Sequence, residues 1–390
     1  MIAVHRDCPD EQTRALFALA AELAERELRP AAAEAERDGV FPRDAFRMLG
    51  RSGLLGLPFP ESLGGGGQPY VTYLQVIEEL ARAWLTVGLG VSVHTLACFP
   101  LARAGTPDQQ ERLLPAMLGG NLLGAYCLSE PDSGSDAAAL RTRAVRDGGD
   151  YVIDGVKAWI SHAGHADYYT LFARTSGEPE GAGRARGISC LHVPARTPGV
   201  SAAPAEHKMG MRGSVTAQLR FEAARVPAGQ LIGAEGKGFG IALAALEDGR
   251  LGIAACATGV AQAALETAVS WARQRRQFGR PVGEFQGVAF MLADMATAVE
   301  AARALYLSAA RRKDAGLPFG QQAAMAKLFA ADAAMRVATD AVQVLGGYGY
   351  VEDFPAERYL REAKVLQIVE GTSQIQRVVI SRALTGEAPG

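Results

Sequence analysis

The 390-residue sequence predicts a mainly helical α+β fold in three successive parts, and two changes of texture carry that expectation. Apolar residues recur at helical spacing from Glu11 to about Asn121, then come in short runs rich in Tyr, Val and Ile cut by Gly, Asp and Pro from about Leu122 to Gly233. After Gly240 the helical spacing returns and persists. The parts are therefore placed at 1–121 (helical), 122–233 (antiparallel β) and 234–390 (helical bundle). Strands segregated from helices in this way argue against a doubly wound parallel sheet.

In the first part Leu16, Phe17, Leu19, Ala20 and Leu23 fall on one helical face. The stretch "LPFPESLGGGGQPY" (57–70) interrupts the pattern with prolines and four consecutive glycines, and reads as a surface loop. In the second part "RAVRDGGDYVIDGVKAWI" carries Asp-Gly pairs at 147–148 and 154–155, which predict antiparallel hairpins. The composition of "SGEPEGAGRARG" (176–187) predicts a loop, with "ISCLHV" as the strand after it. In the third part the Ala-rich faces of 251–269 and 321–345 let helix axes approach closely, as in a bundle of long antiparallel helices.

Forty basic and forty-two acidic residues give a formal charge of −2, with no basic patch of the kind nucleic-acid binders carry. The five cysteines are odd in number and never form a CxxC pair, as expected of reduced thiols. No uncharged apolar stretch reaching about 18 residues is expected, and Asp and Glu occur early in the N-terminal segment. A soluble, cytoplasmic protein without membrane or nucleic-acid partners is the expectation.

The glycine clusters "GKGFG" (236–240) and "GGYGY" (346–350) do not complete GxGxxG, and neither lies in a βαβ unit. The first reads as a linker and helix entry. None of the six histidines shows the spacing of a metal site, and no GxSxG or P-loop signature is present. "YCLSEPDSGSDAA" (126–138) ends a strand in hydroxyls and small residues, which serve either as a polar turn or as donors to a phosphate or a flat heteroaromatic edge. In "KAWISHAG" (157–164) alternation points Trp159 and Ser161 to one face, and by pattern alone a Trp packed in the core is the simpler reading. Glu247 and Arg250 are spaced to pair along a helix, and Arg275 and Arg276 sit where they would answer a helix dipole.

Taken together and in order, "YCLSEPDSGSD", "KAWIS", "RRQFGRPVGEFQ", "QVLGGYGYVEDFPAERYLREAK" and "IVEGTSQIQR" resemble the acyl-CoA dehydrogenase family over nearly the whole chain, with the C-terminal third most like short-chain and related bacterial members. The resemblance implies an N-terminal helical domain, a middle β-domain and a C-terminal four-helix bundle, assembled as a homotetramer with one FAD per subunit. It implies that Tyr126, Leu128, Ser129, Gly134, Ser135, Trp159 and Ser161 hold the flavin from the β-domain, with Thr372 and Gln374 completing the flavin site. Arg275, Phe278, Gln286, Gln343, Gly346 and Gly347 would hold the pyrophosphate and adenosine end, partly from a neighbouring subunit. Ser135, Glu247, Arg250 and Gly371 would contact the acyl-CoA.

The implied chemistry is α,β-dehydrogenation of a thioester, in which Glu370 takes the α-proton, a hydride passes to flavin N5, and electrons leave to an electron-transferring flavoprotein. The Glu370 backbone N–H would bind the thioester carbonyl. Burial beside Ile368 and Val369 is expected to raise the carboxylate pKa. Without the accompanying motifs Glu370 would read as a capping carboxylate near a helix start. Val369 replaces a Tyr frequent in relatives, which leaves the acyl group open, and Gly249 excludes the branch of the family that carries its base on the long helix. Acyl-CoA oxidase, an acyl-carrier-protein dehydrogenase and a non-catalytic acyl-binding scaffold are the alternatives on the same fold.

Overall fold

Asp10 opens the first helix by accepting a hydrogen bond from the Thr13 backbone N–H, in a computed structural model that describes residues 4, 6–176 and 183–386. Helix α1 (Glu11–Leu23) runs through a single π turn (Ala24–Leu28) into α2 (Arg29–Asp38). Pro30 has no N–H to continue the ordinary ladder, and the wider turn absorbs that loss. There follow α3 (Arg43–Arg51), α4 (Tyr70–Ala83), α5 (Leu85–Ala104) and α6 (Pro107–Leu118). The loop before α4 is more than a surface connection. Leu57 and Phe59 are buried, and Gly65 lies so close to the Phe59 carbonyl that an added Cβ would sit 2.2 Å from its oxygen.

The middle of the chain forms an eight-stranded sheet: β1 (Gly124–Cys127), β2 (Arg143–Asp147), β3 (Asp150–Ser161), β4 (Tyr168–Arg174), β5 (Ile188–Pro194), β6 (Val200–Ala202), β7 (Thr216–Pro227) and β8 (Leu231–Ile232). Its order is β6-β7-β3-β2-β4-β5-β8, with β1 beside β4. Most pairings are antiparallel as expected, but β1 and β2 both meet β4 in parallel, because the β2–β3 hairpin intervenes before the chain returns. Only the first Asp-Gly pair makes a hairpin turn, at the Asp147–Asp150 closure. The second is a bulge inside β3: register slips between Ile153 and Gly155, and Asp154 accepts the Ala223 N–H. The loop expected at 176–187 lies partly outside the described residues.

Five helices follow: α7 (Gly238–Gln274), α8 (Gln286–Asp314), α9 (Gly320–Leu345), α10 (Ala356–Leu366) and α11 (Ser373–Thr385). A short hairpin of β9 (Arg276–Gln277) and β10 (Arg280–Pro281) joins α7 to α8. Helix α9 packs against α7, α8, α10 and α11, and α7 also packs against α4 and α5. The two helical parts therefore share one hydrophobic core although the whole sheet separates them in sequence. The sheet has its own core, and a third cluster around Leu101, Phe172 and Ile188 joins it to the helices.

The expectation about apolar runs needs correcting. Helices Leu85–Ala104 and Gly238–Gln274 are long and apolar enough to cross a membrane on length and composition, but 89% and 83% of those windows are buried inside the fold. They are the central core helices, apolar over those windows because most of their faces meet protein.

Candidate functional site

Helix α10 ends at Leu366, and a six-residue turn carries the chain into α11. The Thr372 side chain caps α11 by accepting from the Ile375 N–H at 3.2 Å, so the cap belongs to Thr372 and not to Glu370. Glu370 has φ 53° and Gly371 φ 92°. Two successive left-handed residues reverse the chain sharply, and the non-glycine one is held there by its surroundings.

That reversal turns the Glu370 carboxylate inward against α7. An added Cβ on Gly249 would lie 2.0 Å from Glu370 Oε2, so the absent side chain at 249 is the space the carboxylate occupies. Both carboxylate oxygens are buried without a hydrogen-bond partner. The Glu370 backbone N–H likewise makes no hydrogen bond to the described residues. Burial pushes the carboxyl up to about 7, while the charges of Lys327 and Arg250 pull the other way. The expected direction stands, but its cause differs in part: Ile368 is 53% exposed, and Val369 is half-buried against the helical core. The wall that strips water from the carboxylate includes α7.

Around it stand residues to which the resemblance assigned no role. Lys327 on α9, wholly buried, donates from Nζ to the Gly371 carbonyl at 2.8 Å, as does Gln376 Nε2 at the same distance. Burial lowers the Lys327 pKa to about 8 against the pull of Glu370. Tyr73 on α4 is buried in reach of the Ser92 and Thr95 hydroxyls and of the charge on Glu370. A sequence signal for Lys327 exists: it is a lone cation on an Ala-rich helical face.

Arg250 is buried with its Nε unpartnered, and forms no salt bridge with Glu247 among the described residues. Glu247 is half-buried near the start of α9, 2.8 Å from where a Cβ on Gly320 would stand. Tyr126 on β1 donates its hydroxyl to the Ala242 carbonyl of α7 at 3.2 Å, tying the sheet to the helix that carries Arg250.

The two strand-end segments assigned to the flavin are themselves fastened together. Buried Lys157 donates to the Leu128 carbonyl at 3.0 Å and to Glu130 at 2.8 Å, while the Ala158 N–H reaches the Ser129 carbonyl at 2.9 Å. Trp159 sits on a β-bulge between Lys157 and Ile160 with φ 62°, and is 65% exposed. The bulge breaks the alternation expected to align Trp159 with half-buried Ser161, and the indole is no core residue. Gly134 and Ser135 lie in an exposed turn close in sequence to this segment, and Gln374 is exposed on the first turn of α11.

The remaining candidates are elsewhere. Arg275 caps the far end of α7, where its guanidinium lies 6.0 Å from the Trp271 ring and 5.5 Å from that of Tyr348. It borders an open cleft of about 550 Å³ with Gly346 and Gly347. Phe278, at φ 51° in the β9–β10 turn, is 94% exposed. Gln286 and Gln343 are exposed at the start of α8 and near the end of α9. At the rise of an α-helix, roughly 37 Å separates Arg250 from Arg275 along α7. One chain therefore does not bring its two sets of candidate residues together.

Comparison with known proteins adds the following. Models of the N-terminal, middle and C-terminal domains of acyl-CoA dehydrogenases match residues 10–121, 125–224 and 236–385. An acyl-CoA dehydrogenase of Bacillus subtilis is 47% identical over 366 residues, covering 94% of this chain and 96% of that one. The solved structure of butyryl-CoA dehydrogenase from Megasphaera elsdenii superposes with a TM-score of 0.94 at 38% identity, covering 98% of this chain and 100% of the other. A chain solved in work on the electron transferring flavoprotein of Acidaminococcus fermentans gives the same TM-score at 41% identity, over 98% of this chain and 99% of that one.

Proposed function

The chain belongs to the acyl-CoA dehydrogenase family of FAD-dependent oxidoreductases, and from that premise we propose that it converts an acyl-CoA thioester to the trans-2-enoyl product with Glu370 as the α-proton base. The observation that carries this reading is the unpartnered, buried Glu370 carboxylate seated on Gly249. An ordinary carboxylate is a poor base for an α-proton. Here burial disfavours the anion, so taking a proton relieves the cost of holding a charge out of water. The opposing charges of Arg250 and Lys327 keep a working fraction ionised near neutral pH. The free Glu370 N–H suits the thioester carbonyl oxygen, where it would stabilise the negative charge that develops as the proton leaves.

The residues present fit FAD. An indole held out of the core at the Trp159 bulge offers a flat apolar surface beside Ser161 and the Ser129 segment. At the C-terminal end of α7, Arg275 and the unobstructed glycines Gly346 and Gly347 suit a phosphate approached closely by backbone. When bound, FAD accepts the β-hydrogen as hydride. Because roughly 37 Å of α7 separates Arg275 from Arg250 and the Glu370 carboxylate, the Arg275 end would serve a second copy of the chain in a homotetramer.

Butyryl-CoA dehydrogenase among the neighbours supports a short acyl chain, and the electron transferring flavoprotein work supports such a flavoprotein as electron acceptor. The test is anaerobic mixing of the FAD-loaded protein with a series of acyl-CoAs, followed by flavin absorbance. Bleaching by a short-chain acyl-CoA, with reoxidation by electron-transferring flavoprotein faster than by air, is expected. An oxidised spectrum unchanged by every acyl-CoA overturns the reading.

A further inference from the structure

Lys327 stands alone in its surroundings. It lies on the face of α9 formed by Ala323, Ala324, Ala326, Ala330 and Ala331, all fully buried, and it is fully buried itself. No carboxylate among the described residues comes within salt-bridge distance of its ammonium, whose one hydrogen bond is to the Gly371 carbonyl. Burying an ammonium is costly, and an apolar side chain of similar length would fill the space without that cost. The cost is offset by the nearby charges of Glu370 and Asp332 and by what the ammonium touches.

What it touches is the apex of the Glu370 turn. The flanks are tied by Asp332, which accepts from Gln367 Nε2 at 2.7 Å and from Ser373 Oγ at 3.2 Å and pairs with Arg377. At the apex, Lys327 and Gln376 together take up both lone pairs of the Gly371 carbonyl. With that carbonyl fixed from two sides, the peptide plane after Gly371 cannot rotate, and the left-handed pair at Glu370 and Gly371 is locked. We infer that Lys327 is a positioning residue for the reaction, gripping the Gly371 carbonyl from inside the helical bundle so that the Glu370 carboxylate stays seated on Gly249 and faces a cation. The inference rests on the reading of Glu370 as the base.

The same placement has an electrostatic consequence. The cations facing Glu370 are Lys327 from α9 and Arg250 from α7; half-buried Glu247 acts on Arg250, and Asp332 acts on Lys327. Tyr70 and Tyr73 of α4, Tyr126 of β1 and Cys256 of α7 also feel its charge, and burial pushes each of their protons to higher pH, so they stay neutral in the working range. Removing the Lys327 charge leaves burial less opposed, and the pH at which Glu370 ionises must rise.

The experiment compares Lys327→Met, Lys327→Gln and Lys327→Arg in the FAD-loaded protein. Two readouts are taken: flavin reduction by butyryl-CoA across pH, and infrared difference titration of the Glu370 carboxyl with Glu370→Gln as blank. Lys327→Met should slow reduction by about 10- to 100-fold, as expected for a misplaced reacting group. It should also move the acid limb and the infrared titration upward by about one pH unit or more. Lys327→Gln keeps a donor without charge, and should recover part of the rate while leaving the titration displaced. Lys327→Arg should restore most of both. Wild-type rate and titration in Lys327→Met and Lys327→Gln overturn the inference. Should Lys327→Met not fold, Lys327→Gln decides, since an undisplaced titration there has the same meaning. Normal reduction by Glu370→Gln is a different failure, that of the base assignment, and is read from a separate protein.

Discussion

The two ends of α7 are built on opposite terms. Near its N-terminal third, Arg250, Lys327 and the Glu370 carboxylate are buried, carry unpartnered polar atoms or shifted protonation, and act on one another's charge. At its C-terminal end Phe278 meets solvent, and half-buried Arg275 lies against the rings of Trp271 and Tyr348 with no side-chain hydrogen bond or salt bridge among the described residues. The first end is preorganised within one chain: its geometry is set before any ligand arrives, as proton transfer demands. The second presents a surface that gains partners only from a ligand or another copy of the chain. Acid–base chemistry and cofactor retention should therefore separate cleanly by mutation.

The largest effect should come from Glu370→Gln. It keeps shape and FAD while removing the base, and flavin reduction by substrate should fall by about 10²–10⁴-fold or more. Rapid-mixing absorbance measures it, and a near-normal rate would show that the buried end of α7 is not where the proton goes. Next is Gly249→Ala, which adds a methyl 2.0 Å from Glu370 Oε2. The carboxylate must move, and a displacement of that order typically costs about 100-fold. FAD content and fold should be retained, and unchanged reduction kinetics would mean that the seat on Gly249 is incidental.

Arg275→Met tests the other end. Loss of one charge-assisted contact to phosphate is worth about 1.5–3 kcal/mol, or roughly 10- to 150-fold in FAD affinity. At saturating FAD the reduction rate should change little. Flavin fluorescence on dilution reads the affinity, and a reduction rate that falls in step with it would erase the distinction between the two ends.

How much of this was legible beforehand follows the same division. The three textures reported backbone periodicity, so the order helix, sheet, helix could be read. Contacts between segments far apart in the chain left no periodic trace. The shared core of α4, α5 and α7 is one such case, and Lys327 reaching Gly371 is another. Trp159 shows the limit within a single strand, since alternation fails at a bulge that only the pairing with β7 reveals. Gly155 is similar: "DG" at 154–155 carries a turn signal, yet a Cβ there would meet Thr142 Oγ1 at 2.5 Å, so the glycine serves a close approach and not a hairpin.

The smallest expected effect is on stability, and its sign is diagnostic. The Glu370 carboxyl is raised from 4.5 to about 7 in the folded chain. Between those values the folded state holds a proton that the unfolded state has released, so stability falls as pH rises through that window and levels off above it. The cost of ionising Glu370 in place is thus absent near pH 4.5 and fully present by pH 8, at roughly 3 kcal/mol as an upper figure. Glu370→Gln escapes that cost at pH 8 and gains nothing at the acid end. In a chain of this size such a difference moves the thermal midpoint by only a few degrees. Arg275→Met should show no such pH-dependent gain. Thermal unfolding of both variants at pH 5 and pH 8 makes the comparison: a gain for Glu370→Gln at pH 8 alone marks the buried end as the place where stability is given up for basicity, and an equal gain at both pH values would remove desolvation of Glu370 as its cause.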